Sequence, residues 1–257
     1  MPDDILLSQT QDAITTLTLN DPATINALST AMMTRLAAAL DAIATSPARV
    51  VILRAAGRNF CAGHDLREIQ SNRRDPDHGS AAFTALFTLC ATVMQKIAAL
   101  PQPVIAQVQG VATAAGCQLV ASCDMVVAGQ TARFGVNGVN IGLFCHTPLV
   151  ALSRRIAPAQ AFELAATGDL IPAARALTLG LVTRLAPPEA LDAETLALAT
   201  SLAQKLPAAL ALGKRAAALP LKAAYDTATA AMVENLLAPD TAEGIQAFLD
   251  KRPPTWA

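Results

Sequence analysis

Two short stretches of the chain carry residue types suited to holding negative charge. They are Gly57-Arg58-Asn59-Phe60-Cys61-Ala62-Gly63-His64-Asp65-Leu66 and Gly110-Val111-Ala112-Thr113-Ala114-Ala115-Gly116-Cys117-Gln118. In each, a β-prone run passes through small residues into the start of a helix. Ala62 and Gly63, like Ala114 to Gly116, have little side chain to keep a ligand away from the main chain. The first amides of a helix have no partner within it and favour an anion. Two such turns converging on one point would make an oxyanion hole, in which each preorganised donor is typically worth about 3–4 kcal/mol of transition-state stabilisation. A single turn of this kind is more often a packing device, so the chemistry depends on the two meeting.

Other reactive side chains are sparse. The only histidines are His64, His78 and His146. They are scattered, which argues against a structural zinc site, and no metal is expected. Histidine is the side chain whose ordinary charge change lies near neutrality, so His64 and His146 could handle a proton, although His146 is as readily a helix-start residue pointing away from substrate. The five cysteines, Cys61, Cys90, Cys117, Cys123 and Cys145, form no CxxC pair and no even framework. Their pattern fits a reducing compartment, and a cytoplasmic protein is expected. Cys117 and Cys145 lack an evident basic partner in sequence and read as packing residues. Asp65 reads as the N-terminal residue of a helix, Asp124 as structural, and Arg73 and Arg74 as solvated charges within reach of an anion.

These loops need a scaffold, and the composition supplies one. With 257 residues, 53% of them apolar and 15% charged, the chain can bury a large core. A formal net charge of -1 gives no broad basic field for nucleic acid or anionic membrane. The start, Met1-Pro2-Asp3-Asp4, has neither the basic nor the apolar region of a secretory signal, nor the character of a basic transit peptide. The apolar stretch from Val104 to Val127 is interrupted by Gln107, Gln109, Gln118 and Asp124, so it reads as strand, turn, helix and strand rather than a membrane span.

Ile5 to Leu7 and Ala13 to Leu19 read as neighbouring strands separated by Gln9 to Asp12. Ser29 should cap a helix over Ala31 to Ala44, with Met32, Leu36, Leu40 and Ile43 inward. Strands are expected over Arg49 to Leu53, Pro103 to Val108 and Asp124 to Ala128, with a helix over Ala114 to Ser122. This alternation predicts an α/β fold. Ser71 to Ser80 reads as a surface loop, and Phe83 and Phe87 as core. From Thr147 onward the pattern is helical, with only Leu181 to Leu185 extended. A last helix should start at Asp240, capped with the help of Glu243.

Taken together, Asn26-Ala27-Leu28, Phe60 to Leu66, Gly110 to Leu119, Phe134-Gly135, Asn140-Ile141-Gly142 and the C-terminal Glu243-Gly244 and Phe248 to Arg252 resemble the crotonase superfamily, that is, the enoyl-CoA hydratase/isomerase family. The run Ala112 to Asp124 is most similar to its enoyl-CoA hydratase domain-containing protein 3 subgroup. The resemblance implies a crotonase (ClpP-like) fold, a spiral of β-β-α turns over residues 1–195 with a helical trimerisation region over 196–257, and a homotrimer or dimer of trimers. It implies an acyl-CoA substrate, with no further cofactor. It assigns the oxyanion amides to His64 and Ala115. Contacts with CoA are assigned to Ala27, Leu28, Ala62, Gly63, Asp65 and Leu66, and to Phe248 and Lys251 closing a neighbouring subunit's site.

The resemblance breaks where water would be added. The two glutamates that hydratases of this family use as acid and base fall on Gln118 and Gly138. An amide can hold water but cannot exchange its proton near neutrality, and glycine has no side chain. Expected hydration is therefore weak or altered, and restoring both carboxylates should raise it. His64, His146, Cys145, Asn137 and Asn140 are the candidates to fill the gap. Three readings follow: a lyase related to the hydratases, a decarboxylase of a malonyl- or methylmalonyl-type CoA, which needs no base to reach the enolate, and a non-catalytic acyl-CoA-binding protein.

Overall fold

The computed structural model describes residues 4–217 together with Glu243, Asp250, Arg252, Pro253 and Thr255. The expected cap at Asp240, and the CoA contacts expected of Phe248 and Lys251, lie outside the described residues.

The chain opens with β1 (Leu6–Gln11) and β2 (Ile14–Leu19), then α1 (Thr30–Ala44), β3 (Val50–Ala55), α2 (Leu66–Asn72) and α3 (Ser80–Ala99). There follow β4 (Val104–Val108), β5 (Val111–Thr113), α4 (Ala115–Ser122), β6 (Met125–Gly129), β7 (Arg133–Gly135), α5 (His146–Leu152) and α6 (Pro158–Thr167). The described part ends with β8 (Ile171–Pro172), α7 (Ala173–Leu179), β9 (Arg184–Ala186), α8 (Leu191–Ala203) and α9 (Pro207–Ala217).

A six-stranded sheet runs β1-β2-β3-β4-β6-β9, and a three-stranded sheet runs β5-β7-β8. In the larger sheet only β1 is antiparallel to its neighbour. The chain alternates between the sheets: β4, β5 and α4, then β6, β7 and α5, each time a strand of the large sheet, a strand of the small sheet and a helix. β3 makes the same move with one residue, because Cys61 bridges Ala112 in parallel before α2 begins. The expected spiral of β-β-α turns is therefore present.

Several local expectations change. Asp12 and Ala13, both at positive φ, close a two-residue hairpin turn. Gln9, Thr10 and Gln11, expected as a separator, are thus part of the edge strand β1, which faces solvent beyond Leu6. Polar side chains on an edge discourage pairing with another chain. Ser29 caps α1 by accepting a hydrogen bond from the Met32 amide, as expected, a contact of a type worth about 1 kcal/mol. The extended stretch expected over Leu181 to Leu185 contracts to Arg184–Ala186, and β5, β7 and β8 were not anticipated.

Leu86, Cys90, Val93, Met94 and Ile97 line the buried face of α3, while Phe83 and Phe87 are half-buried. α3 is also long and apolar enough to cross a membrane by length and composition; its buried face is that of a core helix. On the other face of the large sheet, Leu191, Leu198 and Ala199 of α8 pack with Ile14, Val50, Ile52, Ile105 and Val127. The division expected at residue 195 falls inside this helix. α9 is tied to the sheet by Lys214, whose Nζ lies 2.7 Å from Asp124 Oδ2 and donates to the carbonyls of Ile97 and Gln102 at 2.9 and 3.1 Å. The same Asp124 oxygen accepts from the Val104 amide, the structural role expected of it.

Candidate active site

The two loops singled out in the sequence are bonded to one another. The Cys61 amide donates to the Val111 carbonyl at 3.1 Å, and the Thr113 amide to the Cys61 carbonyl at 3.0 Å. Packing beyond the bridge is so close that only glycine fits. A Cβ on Gly116 would stand 2.4 Å from the Cys61 carbonyl oxygen. One on Gly63, where φ is +94°, would stand 2.8 Å from Ala114 Cβ and 3.1 Å from the Ala115 amide nitrogen. His64 follows Gly63 directly, so the amides of His64 and Ala115 belong to one small region. Among the described residues neither donates to a protein acceptor.

The orientation of the Ala115 amide depends on Ala114, which adopts φ 50° and ψ -124° just before α4. Such a conformation costs a non-glycine residue of the order of 1–3 kcal/mol and persists only where its surroundings enforce it. Here the Ala114 amide is anchored on the Gly135 carbonyl at 2.9 Å.

The first loop is clamped to the chain before α1. Leu28 donates its amide to the Gly63 carbonyl at 2.8 Å, and its carbonyl lies 3.2 Å from His64 Nδ1, which therefore carries the ring proton. Ala62 donates to the Ile25 carbonyl, and buried Asn26 spans the Ala56 and Asn59 carbonyls. Ala27 and Leu28 are buried, with their amides already bonded within the protein. Asp65 is the N-cap of α2, accepting from the amides of Arg67 and Glu68, and Leu66 is exposed beside it. The His64 ring packs edge-on against Phe87 at 5.3 Å, and its buried Nε2 has no hydrogen-bond partner among the described residues. Burial holds its pKa below the usual 6.5, against the opposing effects of the Leu28 carbonyl and Glu68.

The two positions expected to lack the family's glutamates differ from each other. Gln118 lies one turn after Ala115 on α4, is 4% exposed, and has its Oε1 3.8 Å from Cys90 Sγ. Gly138 is closed to any side chain: a Cβ there would meet the Leu143 carbonyl oxygen at 2.3 Å and Cys145 Sγ at 2.8 Å. The expectation that carboxylates can be restored at both positions is corrected by this contact. Asn137 accepts a hydrogen bond from Thr113 Oγ1 at 2.7 Å, so a hydroxyl–amide pair stands beside the Gly63–Ala114 contact. Thr113 was not singled out in the sequence, because its partner lies 24 residues away. Asn140 is occupied elsewhere, donating to the Gly168 carbonyl. His146 is exposed at the start of α5, with its ring 4.9 Å from that of Phe144.

A cavity of about 850 Å³ lies against α4, lined by Gln118 and by apolar residues including Met94, Ala121, Val150 and Leu202. No cysteine is poised as a nucleophile. Burial pushes the thiols of Cys61, Cys117 and Cys123 up to about 12 and that of Cys90 to about 11, and it raises Cys145 as well. The guanidinium of Arg73 lies over Phe83, 5.5 Å from the ring centre.

The family model for enoyl-CoA hydratase/isomerase matches residues 9–257. The chain belongs to the enoyl-CoA hydratase/isomerase family. Among its relatives, mouse "Enoyl-CoA hydratase domain-containing protein 3, mitochondrial" is 42% identical over 252 residues, covering 96% of this chain and 82% of the relative. A crystal structure of enoyl-CoA hydratase from Mycobacterium smegmatis is 45% identical and superposes with a TM-score of 0.93, covering 99% of both chains. The human enoyl-CoA hydratase domain-containing protein 3 structure is 40% identical with a TM-score of 0.91, covering 98% of this chain and 100% of that one. The fold is thus the crotonase fold of a family that acts on acyl-CoA thioesters.

The comparisons correct one expectation. The vertebrate relatives are named as mitochondrial, which overturns the cytoplasmic reading of the cysteines. Reduced thiols separate reducing from oxidising compartments, and they do not separate one reducing compartment from another.

Proposed function

We propose that the chain binds an acyl-CoA thioester with its carbonyl oxygen between the amides of His64 and Ala115 and stabilises the enolate formed from it. The observation that supports this reading is the close approach of Gly63, the residue before His64, to the Ala115 amide, with neither the His64 nor the Ala115 amide donating to a protein acceptor among the described residues. Donors fixed in advance by a strained Ala114 and a clamped Gly63 need no reorganisation as negative charge develops. CoA enters as part of the substrate, and the reaction calls on no separate cofactor. As a lyase the protein is a poor hydratase, since Gln118 and the Thr113–Asn137 pair can hold water without taking its proton. The exposed apolar side chains of Ile141, Leu143 and Phe162 support self-association, in keeping with a homotrimer or dimer of trimers.

A second reading is favoured by Gly138. Because Leu143 and Cys145 fill the place of a carboxylate there, the site suits a reaction that reaches the enolate without a base, the loss of carbon dioxide from a malonyl-type thioester. Solvent deuterium exchange at Cα of bound acyl-CoAs, run beside carbon dioxide release from malonyl- and methylmalonyl-CoA, separates the readings. Exchange without release supports the lyase, and release supports the decarboxylase. Thioester binding with neither leaves a binding protein and contradicts both catalytic readings.

A further inference from the structure

The cavity against α4 holds more positive charge than its apolar walls account for. Arg154, Arg155 and Lys214 line it, with Asp124 as the facing carboxylate. Lys214 and Asp124 form a pair at 2.7 Å, and Arg154 donates to the Val150 carbonyl from an exposed position. Arg155 feels the charge of Asp124 but shares that carboxylate with Lys214. Among the described residues the Nε and Nη2 of Arg155, both buried, have no hydrogen-bond partner. A guanidinium cannot escape the cost of burial by losing its proton in any ordinary pH range, so one that shares its carboxylate and bonds no acceptor through these nitrogens has room for a further anion.

We propose that Arg155 receives a carboxylate at the far end of the acyl chain, so that the preferred substrates are CoA monothioesters of dicarboxylic acids. This rests on the acyl-CoA reading above. Gln118 connects the two regions: it lies one turn beyond Ala115 on α4 and also lines the cavity. A thioester held at the Ala115 amide runs its chain past Gln118, along Met94, Ala121 and Val150, toward Arg155. An alkyl chain suits those walls, and a terminal carboxylate completes the fork of the guanidinium. The phosphates of CoA are the other source of an anion, and free CoA serves as the control for them.

The test is calorimetric titration of adipyl-CoA against hexanoyl-CoA, glutaryl-CoA against valeryl-CoA, and free CoA, with the unaltered protein, Arg155→Leu and Arg155→Lys. The unaltered protein should bind at least one dicarboxylic member about 10-fold or more tightly than its neutral counterpart, the scale of one charge-assisted contact. Arg155→Leu should remove that preference while keeping the affinity for hexanoyl-CoA and free CoA, and Arg155→Lys should keep part of it. Equal binding within both pairs overturns the proposal while leaving the acyl-CoA reading intact, and it does so whether or not the variants fold. Weakened binding of free CoA by Arg155→Leu assigns the residue to a phosphate and overturns it too. Failure to bind any thioester removes both.

Discussion

The carbonyl oxygen of Leu143 stands 2.3 Å from where a side chain on Gly138 would begin. Backbone, not a movable side chain, therefore closes that position. Gly138→Glu should destabilise the protein by more than about 2 kcal/mol, as overpacking of a buried site does, and should give no gain in hydration. Thermal unfolding and a hydration assay with a short enoyl-CoA check this. A well-folded variant with raised activity would contradict it.

Gln118→Glu differs, because the side chain already fits. A carboxyl there is buried beside Cys90, so its pKa rises toward neutrality and it can exchange a proton with water. Hydration should increase on the order of 10- to 100-fold. Its pH profile should gain an ionisation that Gln118 lacks.

His64 makes stability depend on pH. Its folded pKa lies below 6.5, so between those values the unfolded chain binds more protons than the folded one. The stability is complete above pH 6.5 and falls as pH drops through the folded value. Denaturant unfolding at several pH values should show this slope, and His64→Gln should flatten it.

Gly63→Ala tests the join between the loops. The new methyl meets Ala114 at 2.8 Å on a backbone with φ +94°, so both contact and conformation are unfavourable. Acyl-CoA affinity should fall at least 10-fold, read by titration on protein that circular dichroism finds folded. Unchanged affinity would mean that the loops need not be this close.

The buried thiols should resist alkylation. Those of Cys61, Cys117 and Cys123 ionise only near 12, so at pH 8 almost no thiolate is present to react. Iodoacetamide should modify these three only after denaturation, as peptide mass mapping would record.

The sequence made the main strands and helices legible because apolar periodicity and caps such as Ser29 act locally. It also marked both loops, since small residues such as Gly63, Gly116 and the neighbouring alanines recur at two strand-to-helix turns, although their meeting had to await the structure. The small sheet was not legible: β5, β7 and β8 are two or three residues long, and their pairing depends on segments remote in the chain. The same limit hid the Thr113–Asn137 pair and the buried guanidinium nitrogens of Arg155. The absence of a carboxylate at Gly138 could be counted from Phe134, whereas the steric closure of that position appears only when the chain returns at Leu143 and Cys145.

The most direct measurement replaces Ala115 by lactic acid, which exchanges its N–H for oxygen and keeps the methyl group, and records the infrared carbonyl stretch of a bound ¹³C-labelled acyl-CoA. In the unaltered protein the stretch should lie below that of free thioester, and the ester should move it back toward the free value while slowing Cα exchange about 100-fold or more. An identical stretch in both proteins would contradict the account.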